Sequence, residues 1–442
     1  MGAGYRQRHG YLLNWSLCLL ICIPVPLFAD DLISIYHLAL QQAPEMRIME
    51  ADMQAAEAKR RIALSSLLPS LELTAQQSDH SGETILPPPA AIDSYSASNY
   101  SLSLSQTLYD GSASSNYDAA QLDGSGAAYL YQAQRQSLMV ALARAYFQLL
   151  AAQSNMALAK AENAALDLQL EDTRKRYRLG LNTMMEVHET QARFDLSSAN
   201  VLKIEQQLDT YREQLSLYTG QQPGTLLSTL DNMVLYYPDP ISIESWEQLG
   251  LHNHTQLKAS IDATKAAKSR LSAQKKAHLP TLELGYDYKH LSNDSASGLQ
   301  QNTQTVGIEF TLPIYSGGET SARIAQARAM FHKAQAEEAL THRRVLGSVR
   351  QAYLQLKSNI NRVKALRRAL MSQQSALKAT QVGVSIGKRT NLDLLNARQE
   401  MLNARYNYNL ARYDYLVGTL ELYRSAGILD ESRLQMVNNW LQ

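Results

Sequence analysis

The chain has 442 residues, and its 42 Lys and Arg against 41 Asp and Glu leave a formal charge of +1, which excludes electrostatic capture of nucleic acid as its working principle. The one compositional excess is aromatic: 24 Tyr against 5 Phe and 3 Trp. Tyrosine suits wet interfaces, where the ring is buried and the hydroxyl stays hydrated.

Residues 1–29 have the pattern of an export signal. Arg6, Arg8 and His9 precede a short apolar stretch, and Ala29 offers a small residue for cleavage before Asp30. Both cysteines, Cys18 and Cys22, fall inside this segment, so the exported chain is expected to carry no thiol and no disulfide. The large Ile21 before Cys22 argues against a lipoprotein signal. Beyond the leader, no stretch reaches the roughly 18 apolar residues of a spanning helix, so any membrane crossing must use strands.

Residues 30–220 read as a first structural repeat. A helical period runs to Pro69 and there gives way to a period of two, with Leu71, Leu73 and Ala75 alternating with polar residues. A polar loop over roughly Ser78 to Ala97, containing Pro87-Pro88-Pro89, leads to a second alternating run at Tyr100, Leu102 and Leu104. Ala127 to Leu179 then contains neither proline nor glycine, and some 50 residues of helix would extend roughly 75 to 80 Å. Residues 221–245, with Pro223, Pro238 and Pro240, form a linker between the halves.

Residues 246–427 repeat the plan, and 428–442 are a tail. Leu68-Pro69-Ser70-Leu71-Glu72-Leu73 reappears as Leu279-Pro280-Thr281-Leu282-Glu283-Leu284, and Tyr109-Asp110-Gly111 as Tyr315-Ser316-Gly317. Ala145-Tyr146, Gly180 and Gly220 each recur 207 residues later, as Ala352-Tyr353, Gly387 and Gly427. The second strand pair alternates at Leu282, Leu284, Tyr286 and Tyr288, then at Val306, Ile308, Phe310 and Leu312, around a polar loop over roughly Leu291 to Asn302. Leu402, Tyr406, Leu410, Tyr413, Leu416 and Leu420, spaced by fours and threes, predict a coiled-coil seam in the last long helix.

The expected fold is therefore mainly α with a small β part: long antiparallel helical hairpins and four strands per chain. Four strands cannot close a barrel, because small barrels need about 8 and lipid leaves no water for an open edge. Three copies would supply twelve strands and let the helices form a hollow cylinder beneath, so a homotrimer is the simplest closed solution.

The run Gly387-Lys388-Arg389-Thr390-Asn391-Leu392-Asp393-Leu394-Leu395-Asn396-Ala397, continuing into Asn403-Ala404-Arg405-Tyr406-Asn407-Tyr408, resembles the last helical hairpin of TolC-type outer membrane channels. The resemblance covers nearly the whole exported chain and includes the Pro at each helix-to-strand switch. It implies a trimeric 12-stranded barrel in outer-membrane lipid above a periplasmic α-helical tunnel with a constricted end. It also implies partners: a periplasmic adaptor and an inner-membrane ABC or proton-driven pump, in type I secretion or multidrug efflux. The runner-up is a soluble periplasmic coiled-coil scaffold or adaptor, which would have a lipoyl-like β domain and one helical hairpin rather than two.

Both hairpin turns carry a capping box: Thr183 through Glu186 and Thr390 through Asp393 have the spacing in which hydroxyl and acid each bond the other's backbone N–H. By the resemblance, Asp393 belongs to an acidic ring at the tunnel entrance and Arg389 to a latch that contacts the first hairpin, with Glu186 and Met185 facing them. Gly180, Leu181, Thr183, Gly387 and Thr390 are the implied adaptor contacts. Three departures, Asn396 in place of a second ring carboxylate, Val384 in place of a tyrosine, and Met185 without a hydroxyl, predict a looser or differently closed gate. His252 and His254 form an H-x-H pair with no Cys or acid cluster nearby, which argues against a metal, and no catalytic constellation or cofactor motif stands out.

Overall fold

The structure, a computed structural model, describes residues 31–84, 90–228, 233–294 and 298–441. The expected leader and the Pro87-Pro88-Pro89 segment lie outside the described residues. The first half places α1 (Leu32–Gln42) and α2 (Pro44–Ser65) before β1 (Ser70–Thr84) and β2 (Ala90–Tyr109), then the hairpin of α3 (Gly111–Arg178) and α4 (Met184–Thr219). The second half follows the same order, with α5 (Ile243–Asn253), α6 (Thr255–Lys276), β3 (Thr281–Asn293), β4 (Gln300–Thr311), α7 (Glu319–Ser385) and α8 (Asn391–Ser425). A short α9 (Glu431–Asn438) closes the described chain.

Helix α3 runs 68 residues, about 100 Å at 1.5 Å per residue, and starts earlier than the glycine-free stretch suggested. Asp110 caps it by accepting from the Ser112 and Ala113 N–H groups at 2.8 and 2.9 Å, so the helix begins where β2 ends and runs through Gly124 and Gly126. No described helix is long and apolar enough to cross a membrane.

The four strands form one antiparallel sheet in the order β1-β2-β3-β4. Its register sorts side chains cleanly, because alternate residues point to opposite faces. On one face Leu71, Leu104, Tyr286 and Val306 line up across all four strands, as do Leu73, Leu102, Tyr288 and Gln304. Glu72, Ser103, Asp287 and Thr305 line up on the other. The apolar stretch of β2 from Tyr100 to Leu108 covers roughly 26 Å at 3.3 Å per residue. No described residue covers it: Leu73 is 73% exposed, Val306 71% and Ile308 65%.

The strands are longer than the alternation alone indicates. Both stretches read as loops are largely ladder, since β1 continues to Thr84, β2 starts at Ala90, β3 reaches Asn293 and β4 starts at Gln300. Pairs such as Gln77 with Ser98 and His290 with Asn302 satisfy their backbones without any apolar side chain.

The core sits at the waist of the helices, not at either end. Tyr146, Phe147, Leu149, Leu215, Trp246, Ile360, Tyr415 and Leu416 are all essentially inaccessible there. Phe147 stacks on Tyr413 with centroids 5.5 Å apart, and the Trp246 indole N–H donates to the Pro240 carbonyl at 2.7 Å. Asn438 ties α9 to the start of α1, accepting from the Leu32 N–H at 2.9 Å and donating to Asp31 at 2.8 Å. The predicted α8 seam is buried at Tyr413, Leu416 and Leu420 but only half-buried at Leu402, Tyr406 and Leu410, where α8 leaves the waist.

Candidate functional site

The far ends of the two hairpins hold every site residue that the sequence singles out. Each turn is built the same way. Gly180 and Gly387 both adopt φ 73°, a left-handed conformation that a side chain would strain. The Leu181 N–H reaches back to the Arg176 carbonyl at 2.9 Å, and the Lys388 N–H to the Gly383 carbonyl at 2.8 Å, which ends each descending helix.

Three residues later each ascending helix starts with a complete capping box. Thr183 Oγ1 accepts from the Glu186 N–H at 3.3 Å, while the Glu186 carboxylate accepts from the Thr183 N–H at 3.3 Å. The second turn is tighter: Asp393 Oδ2 accepts from both the N–H and the hydroxyl of Thr390 at 3.0 Å, and the Asp393 N–H donates to Thr390 Oγ1 at 3.1 Å. These bonds from Thr390, backbone first and hydroxyl second, hold the Asp393 carboxyl below the usual carboxylate range, with Arg389 adding to the effect. Asp393 is accordingly a fixed negative charge near neutral pH.

Arg389 Nη1 lies 4.0 Å from Asp393 Oδ1, within the same turn, and both side chains are open to solvent. Its stem packs over Gly383, where an added Cβ would come within 2.7 Å of Arg389 Cγ. Arg389 and Asp393 are thus brought together, whereas Glu186 caps its own helix and Met185 is 69% exposed on the other hairpin. Leu181, at 70% exposed, projects from the first turn.

The hydrogen bond that joins the hairpins near their ends comes from residues the sequence does not single out as a pair. Arg193 Nη1 on α4 donates to Asn396 Oδ1 on α8 at 3.2 Å. One level higher, the Gln399 side-chain amide meets the Glu162 carboxylate of α3, whose pKa burial raises. These four residues line a groove of about 270 Å³ between α3, α4 and α8. No local pattern marks such a bond, because its partners are 203 residues apart. Asn396 was legible only as a place where a carboxylate was missing.

His254 lies far from these turns, at the start of α6, and is 9% exposed. Its Nδ1 has no hydrogen-bond partner, and burial, with Arg424 contributing, pushes its pKa down to about 4.

Comparison with known proteins places this architecture. The description "Outer membrane efflux protein" matches residues 35–221 and again 246–428. The outer membrane protein TolC of Vibrio cholerae is 31% identical over 94% of this chain and 94% of its own length. The alkaline protease secretion protein AprF of Pseudomonas aeruginosa is 28% identical over 96% of this chain and 90% of its own. Among solved structures, the CmeC outer membrane channel of Campylobacter jejuni superimposes with a TM-score of 0.79 at 19% identity, covering 93% of this chain and 90% of that one, which shows the shared fold. Matched in both halves and along nearly its whole length, the chain belongs to the outer membrane efflux protein family.

Proposed function

We propose that three copies of this chain form an outer-membrane channel-tunnel, the exit duct of a type I secretion or multidrug efflux system. The observation that carries the reading is the sheet. It has one apolar face that none of the described residues covers, and among them β1 and β4 each pair on one side only. A membrane tolerates such a face but not open edges, so copies must join edge to edge, and three sheets of four strands make a twelve-stranded barrel. A soluble scaffold would have to cover Leu73, Val306, Ile308 and Phe310 in some other way.

In this reading the barrel sits in outer-membrane lipid and the long hairpins extend through the periplasm. The hairpin turns form the inner end, where Gly180, Leu181, Thr183, Gly387 and Thr390 meet a periplasmic adaptor that couples the duct to an inner-membrane ABC or proton-driven pump. Asp393, Arg389, Glu186 and Met185 form the gate. Three copies of an ionised Asp393 around one axis repel one another and attract cations. The duct performs no bond chemistry. The relative named for alkaline protease secretion favours protein export as the cargo class, while the family description favours efflux.

Fractionation tests the assembly: the reading expects an SDS-resistant trimer recovered from the outer membrane, and a detergent-free, water-soluble monomer would refute it. Planar-bilayer recording tests the gate. Asp393→Ala should weaken cation selectivity and block by trivalent cations, and an unchanged conductance would remove Asp393 from the ring.

A further inference from the structure

Away from the hairpin turns, a cavity of about 260 Å³ opens at the waist, where the linker, α5, α7, α8 and α9 converge. Six aromatic rings line it: Tyr236 and Tyr237 from the linker, Trp246 from α5, Tyr415 and Tyr423 from α8, and Trp440 just past α9. Trp246 and Tyr415 are each 1% exposed and form the floor, whereas Tyr236 and Tyr237, at 60% and 50%, form the rim. Centroid to centroid, the Trp440 ring lies 6.3 Å from both Tyr236 and Tyr415, and Trp246 lies 6.0 Å from Tyr423.

The polar groups of the floor are already engaged. The Tyr415 hydroxyl accepts from the Tyr236 N–H at 2.9 Å and donates to the Tyr236 carbonyl at 3.2 Å, and the Trp246 indole N–H is bound to the Pro240 carbonyl. Thr419, also in the wall, donates its hydroxyl to the Tyr415 carbonyl at 2.9 Å. A water held inside needs about two to four polar partners, so a floor whose hydroxyl and N–H groups are taken up by backbone suits an apolar occupant. The cavity is larger than the roughly 150 Å³ that suffices for a benzene-sized guest.

One charged side chain stands in this wall. Asp239 is exposed beside the rim tyrosines and forms no ion pair with another described residue. The ring faces around it attract positive charge, and two of the rings already hold a cation: Lys364 Nζ lies 4.7 Å from the Tyr237 centroid, and the Arg433 guanidinium 4.3 Å from that of Tyr423. Neither of these cations lines the cavity itself. A carboxylate at the mouth of a box of Trp and Tyr rings matches the chemistry of alkylated ammonium groups, which need compensation of charge but have no N–H for a directed bond.

We infer that this cavity is a binding site for a small aromatic cation: the ring of the ligand enters against Trp246, Tyr415 and Trp440, and its ammonium group stays at the mouth, between the rim tyrosines and Asp239. Every wall named belongs to one chain, so the site does not depend on how copies assemble. Its occupant touches the linker, α5 and α8 at once and so ties the joint between the two halves.

Fluorescence reads this site directly. The chain has three tryptophans; Trp15 lies in the expected leader, and the other two, Trp246 and Trp440, both line the cavity. Phenyltrimethylammonium added to the exported protein in a maltoside detergent should change the tryptophan emission saturably, with half the effect at about 1 mM or below. Benzoate, which keeps the ring but reverses the charge, and tetramethylammonium, which keeps the charge but lacks the ring, should each bind at least roughly tenfold more weakly. Asp239→Asn should weaken phenyltrimethylammonium roughly tenfold, while Asp195→Asn, near the first hairpin turn, should leave it unchanged. An emission that does not respond, or equal affinity for the cation and benzoate, would overturn the site, and so would Asp239→Asn binding as tightly as wild type. The three-probe comparison needs no variant, so it decides the matter even where a substitution disturbs the fold.

Discussion

The two ends of this molecule are organised by opposite rules. At the sheet end the backbone is fixed by ladder pairing, and side chains only need the right character on each face, apolar along Leu71, Leu104, Tyr286 and Val306 and polar along Glu72, Ser103, Asp287 and Thr305. At the hairpin turns hardly any apolar surface is buried, and order comes from named polar atoms: a left-handed glycine, a threonine hydroxyl and one acid per turn. The first end tolerates change of residue but not of polarity. The second tolerates neither where a cap is involved, yet each of its contacts is individually weak.

The largest effect should come from violating the sheet's polarity. Ile308→Arg places a charge in the apolar band and should destabilise insertion by about 2 to 4 kcal/mol. Thr305→Arg, on the other face of the same strand, should cost far less. Refolding yields into lipid vesicles for the two variants check this, and equal yields would mean the faces are assigned the wrong way round.

The waist responds to pH rather than polarity. An unfolded chain protonates His254 near the ordinary value of 6.5, but the folded site resists until about 4. As pH falls through this window the unfolded state binds a proton that the folded state refuses, so stability drops. The loss saturates below about 4, at about 3 kcal/mol. Denaturant midpoints in detergent between pH 7 and 4 should show the fall, and His254→Gln should flatten it.

How far each end was legible in the sequence follows from the same contrast. The strands were visible as alternation only where one face meets an apolar medium. Once Asn302 and Gln304 replace Val306 and Ile308 on that face, the period of two disappears although the ladder continues, and polar strand looks like loop in the sequence. The capping boxes were visible because Thr183 with Glu186 and Thr390 with Asp393 complete their bonds within three residues. The bond from Arg193 to Asn396 was not, since the fold alone brings those residues together. The duplication was plain because proline and glycine landmarks recur in order, whereas the waist core, assembled from all nine described helices and the linker, left only a few spaced apolar residues in each.

At the turns themselves, Gly387→Ala isolates backbone strain. An added Cβ there meets nothing within 4 Å, so any cost comes from holding alanine at φ 73°, about 1 to 2 kcal/mol. Gly180→Ala should behave alike, because the same angle and the same open space occur there. Unfolding midpoints measure both, and a marked difference between them would mean that one turn, though drawn to the same plan, is strained or relieved by its surroundings.

The smallest effect should be the most informative about the proposed gate. Arg193 and Asn396 make a single exposed bond between two hairpins that otherwise carry their own caps, so its coupling energy should be only about 0.5 to 1 kcal/mol. A double-mutant cycle of Arg193→Ala and Asn396→Ala isolates that term, because each single change removes the bond and the pair removes nothing further between them. If the hairpins separate when the channel opens, the single variants should raise open probability in bilayer recordings by the same factor, and the double variant should raise it no further. Additive effects would mean that the two residues act independently, and that other contacts, Gln399 with Glu162 among them, hold the hairpins together.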